Sequence, residues 1–189
     1  MTLYTLTVFS DVKVDTPVFG GGNDVKRNIS IDYDKSKLML TNATIHGYID
    51  KPAVGLINAN AWLYIDGVEE VHETWIAIGG KREFNVDVTE VVHTAKVYEF
   101  KVVVNDISAN TFYITVYLDL TFTELVSGSE PTITSQPIVY GTPTYSGFGG
   151  LINTIANILP SAITLIMILL ILRLFKGITS VFSSSKEKE

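Results

Sequence analysis

Over the first 125 residues apolar and polar positions alternate with period two, in short runs separated by turn-forming residues. Such alternation puts one face of each run in a core and the other in water. "LYTLTVFS" opens the series, followed by "RNISIDYD" and "KLMLTNATIHGYI", the latter long enough to bulge near Asn42. "NANAWLYI" and "VHETWIAIG" flank an Asp66-Gly67 turn signal, and "REFNVDV" and "YEFKVVVND" come next. In "NTFYITVYLDLTFTEL", Phe112, Ile114, Val116, Leu118, Leu120 and Phe122 share one face. Only "VTEVVHTA" reads as a short helical turn; "IGGKRE" reads as a hairpin turn and "FGGGND" as a flexible turn. Eight or so strands in this length predict an all-β head over 1–125, a single β-sandwich of jelly-roll type.

The pattern then changes twice. Residues 126–150 hold three of the six prolines with Ser, Thr and Gly, and predict an extended linker. At about 3.1 Å per residue such a segment reaches roughly 60–70 Å, the length of a stalk or of a strap along a neighbour. Residues 151–175 carry the membrane-grade stretch, and 176–189 a polar tail. A bilayer core needs about 20 apolar residues in a helix. Ile152, Ile155, Ile158, Leu159 and Ile163 begin the expected anchor; Leu165, Ile166, Met167, Ile168, Leu169, Leu170, Ile171 and Leu172 complete it. Arg173 and Lys176 stand where they would snorkel into headgroups. Asn153, Asn157, Ser161 and Thr164 recur at near-helical spacing, a polar stripe suited to contact with another membrane helix. One spanning helix, bent at Pro160, is the favoured reading; the alternative lays the part before Pro160 in the interface.

Charge sharpens the division. Residues 1–126 hold 10 Lys/Arg against 17 Asp/Glu, whereas 131–172 contain no charged residue. An acidic head without a basic cluster argues against nucleic acid as its partner. The absence of cysteine removes disulfides, thiolate metal sites and cysteine nucleophiles. The first residues alternate like a strand and do not read as a secretory leader.

Candidate chemistry is sparse. His46, His72 and His93 have no ligand partner at useful local spacing, and "HETWI" lacks the second histidine of a zinc helix. Asp32 and Asp34, leading to Ser36, alternate as calcium ligands do, yet the glycine and bidentate glutamate of a calcium loop are missing. A solvated turn is the simpler reading, so no metal and no cofactor are expected. Trp62 and Trp75 are candidate ligand aromatics for a sugar, with core packing as their competing use. Asn28 and Asn42 open glycosylation sequons. No catalytic constellation emerges, and the chain is not expected to be an enzyme.

The strand array to Leu125, the linker and "LIMILLILRLFK" together resemble virion structural proteins of archaeal viruses with an internal membrane, the turreted icosahedral type. That resemblance is architectural. It implies a jelly-roll capsid, vertex or minor capsid component anchored by its C-terminal helix, partnered by a lipid bilayer, by copies of itself and by other capsid proteins. The major capsid proteins of that group carry two jelly rolls, and this chain has room for one. "REFNVDVTEVVH" with "YEFKVVVND" also resembles galactose-binding-like jelly rolls, which bears on fold more than on sugar. The basic residues after the helix favour a head outside a membrane and a tail inside. The expected location is therefore the virion, in its internal membrane and capsid. The alternative is a stalked cell-envelope protein, its head outside the cell membrane, binding carbohydrate or protein.

Overall fold

The computed structural model describes residues 1–18, 20–52, 58–76 and 78–145, and beyond them 150–151, 154–155, 158, 160, 163–169 and 171. The chain divides into two units, Met1–Ser146 and Gly147–Glu189.

In the first unit eight principal strands follow one another: β1 (Thr2–Asp15), β2 (Gly21–Asp32), β3 (Leu38–Lys51), β4 (Ala59–Ile65), β5 (Val68–Trp75), β6 (Gly80–Asp87), β7 (Lys96–Asp106) and β8 (Thr111–Glu124). Each pairs antiparallel with the strand whose number makes nine with its own: β1 with β8, β2 with β7, β3 with β6, β4 with β5. Pairing of β8 with β3 and of β7 with β4 completes two sheets, β1-β8-β3-β6 and β2-β7-β4-β5. The path is one long hairpin rolled into two layers. The expected β-sandwich is present.

Its layers meet through the predicted alternation. Phe112, Ile114, Val116, Leu118, Leu120 and Phe122 of β8 are all fully buried. They face Ile29 and Ile31 of β2, Phe100, Val102 and Val104 of β7, and Ala61, Leu63 and Ile65 of β4 within one core. The bulge expected near Asn42 lies between Leu40 and Asn42. Asp66 and Gly67, at φ 50° and 82°, make the two-residue β4–β5 turn that the Asp-Gly pair signals. The expected helical turn in "VTEVVHTA" is one i→i+4 bond, Val92 N–H to the Val88 carbonyl at 2.8 Å. The "IGGKRE" segment is not a hairpin turn, because β5 and β6 belong to different sheets. Its Ile78 and Gly79 belong to a crossover between layers, and Gly80 to Glu83 already lie in β6.

Residues 126–145, of a length for a stalk or for a strap along a neighbour, lie along their own head. They lie back along the edge of β2 as three short antiparallel pieces: β9 (Thr132–Ser135), β10 (Val139–Tyr140) and β11 (Thr144–Tyr145). The edge of β2 has unsatisfied backbone groups, and an extended segment with its own free donors and acceptors satisfies them. The prolines at 131, 137 and 143 fall outside the three ladders, where their missing N–H costs nothing. Arg27 locks this strap down. Its Nε donates to the Gln136 carbonyl at 2.7 Å, Nη1 to the Thr7 and Val8 carbonyls at 3.3 and 3.0 Å, and Nη2 to Ser135 Oγ at 2.9 Å. At Gly21, φ 143°, a Cβ would stand 1.9 Å from the Thr144 carbonyl oxygen, so the glycine run admits the strap's last piece.

Gly47, in the middle of β3 at φ 153°, sits so close to β8 that a Cβ would meet the Thr115 carbonyl oxygen at 2.1 Å. Gly47→Ala is expected to destabilise the head by roughly 2–4 kcal/mol, read as a lower urea midpoint. Arg27→Ala removes charge-assisted bonds and is expected to weaken strap closure by about 2 kcal/mol. That is about thirtyfold faster exchange at the Gln136 amide, which donates to the Asn28 carbonyl at 2.9 Å, with Val102 in β7 unchanged.

Candidate functional site

The outer face of the β2-β7-β4-β5 sheet carries Trp62 and Tyr64 of β4 and His72 of β5. Trp62 of β4 lies opposite His72 of β5, and their rings stack at 4.9 Å and 25°. Asn60 Oδ1 accepts from Thr74 Oγ1 at 2.8 Å and lies 3.3 Å from His72 Nε2, which fixes the imidazole edge. Beside this stack Tyr64, Gly67, Glu99, Lys101 and Val103 line a shallow depression of about 420 Å³. Ion pairs brace its floor, Lys101 to Asp24 and Lys26 to Glu99, each at 3.2 Å.

Trp75 is elsewhere. It is buried in the core, its ring edge-on to Phe112 at 5.7 Å and its Nε1 donating to the Gly80 carbonyl at 2.7 Å. A ring so enclosed has no face for a ligand, so the expectation of a ligand aromatic is withdrawn for Trp75 and stays open for Trp62. Both tryptophans occupy inward- or outward-reading strand positions, but period two does not say which phase faces the core until the register is known.

On the opposite sheet His46 stacks on Tyr117 at 5.2 Å, with Nε2 3.2 Å from Asp119 Oδ2. With Gly47, Tyr48, Glu83 and Asn85 they line a second open depression, of about 510 Å³. The third histidine, His93, uses its backbone carbonyl to accept from Tyr33 Oη at 3.4 Å. The three imidazoles are thus dispersed, and among the described residues no group of three or more His, Asp or Glu side chains could hold a metal ion. Asp34 closes a turn: its Oδ1 accepts from the Ser36 hydroxyl at 2.6 Å and amide at 2.9 Å, and Lys37 pairs with its Oδ2 at 3.2 Å. Asp32 ends β2 and is exposed. Both sequon asparagines lie in strands with their amides engaged, Asn28 Nδ2 donating to Gln136 Oε1 at 3.3 Å and Asn42 Nδ2 to Thr44 Oγ1 at 3.1 Å.

One cluster escaped the sequence reading. Lys51 and Asp106, both buried, approach to 3.7 Å between the layers where β3 and β7 end. Asp106 also accepts from Ser108 N–H and Oγ at 3.0 and 2.9 Å and from Asn110 Nδ2 at 2.7 Å. Thr16 Oγ1 joins the same turn, donating to the Ser108 carbonyl at 2.9 Å and accepting from Asn110 N–H at 2.9 Å. The signal was available: Lys51 continues the inward phase of Ile45 and Ile49, and Asp106 that of Val102 and Val104.

In the second unit the described residues from 150 to 171 are helical. Leu151, Ile155, Ile158, Ile163, Leu165, Ile166, Met167, Ile168, Leu169 and Ile171 are all between 47% and 58% exposed. Residues 163–169 make nearly two full turns, so apolar side chains point to every side. Thr164 donates its hydroxyl to the Pro160 carbonyl at 2.8 Å, within its own helix. The other expected anchor residues Ile152, Leu159, Leu170, Leu172, Arg173 and Lys176, and the expected contact residues Asn153, Asn157 and Ser161, lie outside the described residues. Among the described residues no helix is long and apolar enough to cross a membrane.

No protein-family model matches the chain, and no curated protein matches it. Among solved structures, the infectious bursal disease virus Gx strain structure is similar over 84% of this chain and 48% of that chain, with 12% identity and a TM-score of 0.37. The infectious bursal disease virus VP2 subviral particle is similar over the same shares, with 14% identity and a TM-score of 0.24. Latent PorU from Porphyromonas gingivalis is similar over 66% of this chain and 10% of that one, with 10% identity and a TM-score of 0.28. The chain spans about half the length of the viral proteins it matches, and likenesses at these TM-scores carry no argument.

Trp75→Ala is expected to cost about 3–5 kcal/mol in urea unfolding; Trp62→Ala, which loses mainly its stack, costs about 1 kcal/mol. The Asp34 carboxyl is held down to about 2, by the Ser36 hydroxyl first, then the Ser36 amide and Lys37. Whatever stability it lends is full above the ordinary aspartate value near about 3.9 and disappears as pH falls through the lowered one. Carboxyl-carbon NMR is expected to show that depressed midpoint, and Ser36→Ala to move it up toward the ordinary value.

Proposed function

We propose that the chain is a structural subunit, a jelly-roll head that assembles with copies of itself in a virion shell and is held to a membrane by its C-terminal helix. The observation that carries this reading is the joining, in one chain, of a rolled eight-strand hairpin to a helix apolar on every described side. The strand order, with each strand meeting its complement to nine, is the double Greek key of jelly rolls, a fold used by capsid subunits and by lectins. A helical stretch such as 163–169, apolar apart from Thr164, is at rest only inside a protein core or in lipid. Residues 150–172 contain no charged side chain, which meets the length a bilayer core requires. The dispersed histidines and self-paired carboxylates support a non-catalytic role.

Partly buried Trp62, stacked flat on His72 beside an open depression, favours one second reading, a head that binds glycan at the cell envelope. Density-gradient banding of particles and host membranes, with the chain quantified by mass spectrometry in each fraction, separates the two. Many copies per particle, released only by detergent, are expected. Recovery from cell membranes alone, or release by salt without detergent, would overturn the virion reading or the anchor respectively.

A further inference from the structure

The strand registers collect four connections at one end of the head. Asp15 pairs with Thr111, Lys51 with Gly80, Gly21 with Asp106 and Ala59 with Trp75, so β1, β3, β5 and β7 all end, and β2, β4, β6 and β8 all begin, on the same side. The sequences that join them, "TPVFG", "PAVGLIN", "IAIG" and "ISAN", contain no charged residue. The connections at the opposite end hold Asp34, Lys35, Lys37, Asp66, Glu90 and Glu130. An acidic molecule has thus left one of its ends neutral.

That neutral end is also apolar at its tips. Val18 is 59% exposed, Ile76 68%, Ile78 71% and Ile107 44%. The Ile78 amide donates to the Ile76 carbonyl at 2.7 Å, a tight turn that holds both side chains out. The loops bearing Val18 and Ile107 are fastened together by the Thr16 bonds to Ser108 and Asn110. Of the charges nearest this end, Lys51 and Asp106 are buried and meet one another, and exposed Asp15 is neutralised by Lys13 at 2.9 Å and accepts from Thr111 Oγ1 at 2.6 Å.

The chain also leaves the head here. Tyr145 of β11 pairs with Gly21, and four residues then separate Tyr145 from the first helical residue, Gly150. Four residues extend about 3.5 Å each at most, so a bilayer that takes up the helix is within reach of this end. Charged side chains resist entry into a bilayer, whereas aliphatic tips on rigid turns enter its interface favourably. We infer that Val18, Ile76, Ile78 and Ile107 form a lipid-docking end that dips into the bilayer surface and stands the head upright on it. This rests on the membrane-anchor reading of the helix; it adds a second, reversible contact and fixes which end of the sandwich faces lipid.

The chain has no cysteine, so single cysteines report cleanly. Val18→Cys, Ile76→Cys, Ile78→Cys and Ile107→Cys would each carry an environment-sensitive dye in the full chain, reconstituted in phosphatidylcholine vesicles. Lys35→Cys and Glu90→Cys are controls at the opposite end, and Ile171→Cys reports on the helix. The expected result is blue-shifted emission at the four tips, lost when quencher-bearing lipids are included, with neither effect at the controls. Quenching at Ile171→Cys without quenching at the tips would overturn the docking end and leave the anchor standing. Absence of quenching at all positions would overturn both. Tips shielded from aqueous iodide yet untouched by lipid quenchers would show that a protein surface covers them, which also overturns the inference.

Discussion

β8 is hydrogen-bonded on both edges, to β1 from the start of the chain and to β3 from its middle, and the rest of the head depends on that placement. With Thr2 opposite Phe122 and Leu38 opposite Glu124, the sheet cannot close until the last principal strand has been made. Such long-range pairing bears a large loop-closure entropy before its contacts repay it. The repayment is concentrated in the six inward side chains of β8, all fully buried, which span the core between both sheets. Slipping β8 by one residue would turn those six outward, so the core sets the register as firmly as the hydrogen bonds do.

The sandwich leaves edges, and those at β6 and β2 are managed differently. β6 presents Lys81, Arg82 and Glu83, exposed charges that discourage a second strand. β2, which would otherwise offer its edge from Gly21 to Asp32, is covered by the strap. Arg27 makes this cover part of the sandwich, because its guanidinium bonds both to the strap and to carbonyls of β1 in the other sheet. The same segment carries the chain along β2 toward the end where Lys51 and Asp106 close the core. A structural staple and a route to the helix are therefore one element.

The two ends of the head follow from this path. At the end where the chain exits, the last layer of the core is ionic and everything beyond it is uncharged. At the other end, carboxylates such as Asp34 are held by neighbouring hydroxyls, amides and lysines in exposed turns. The two ends of the sandwich therefore carry different surfaces.

The alternation in "NTFYITVYLDLTFTEL" alone determined which side chains of β8 would be buried, because a period of two admits only two phases and one of them is charged. The Asp66-Gly67 turn and the bulge beside Asn42 were legible for the same reason: their backbone requirements are local. So was the separation of an uncharged apolar C-terminal segment from an acidic head. Beyond the β4–β5 hairpin, strand partners were not legible, since pairing joins residues from Lys51 with Gly80 to Thr2 with Phe122, and no local signal names such a partner. Hence the crossover at Ile76–Gly80 read as a hairpin, the proline-rich segment read as a stalk or as a strap on a neighbour although β2 offered it a vacant edge, and Trp75 and Trp62 looked equivalent until register buried one and left the other partly buried on the outer face. The neutral end is the clearest case. Its four loops are scattered through the sequence, and only the rolled topology brings them together.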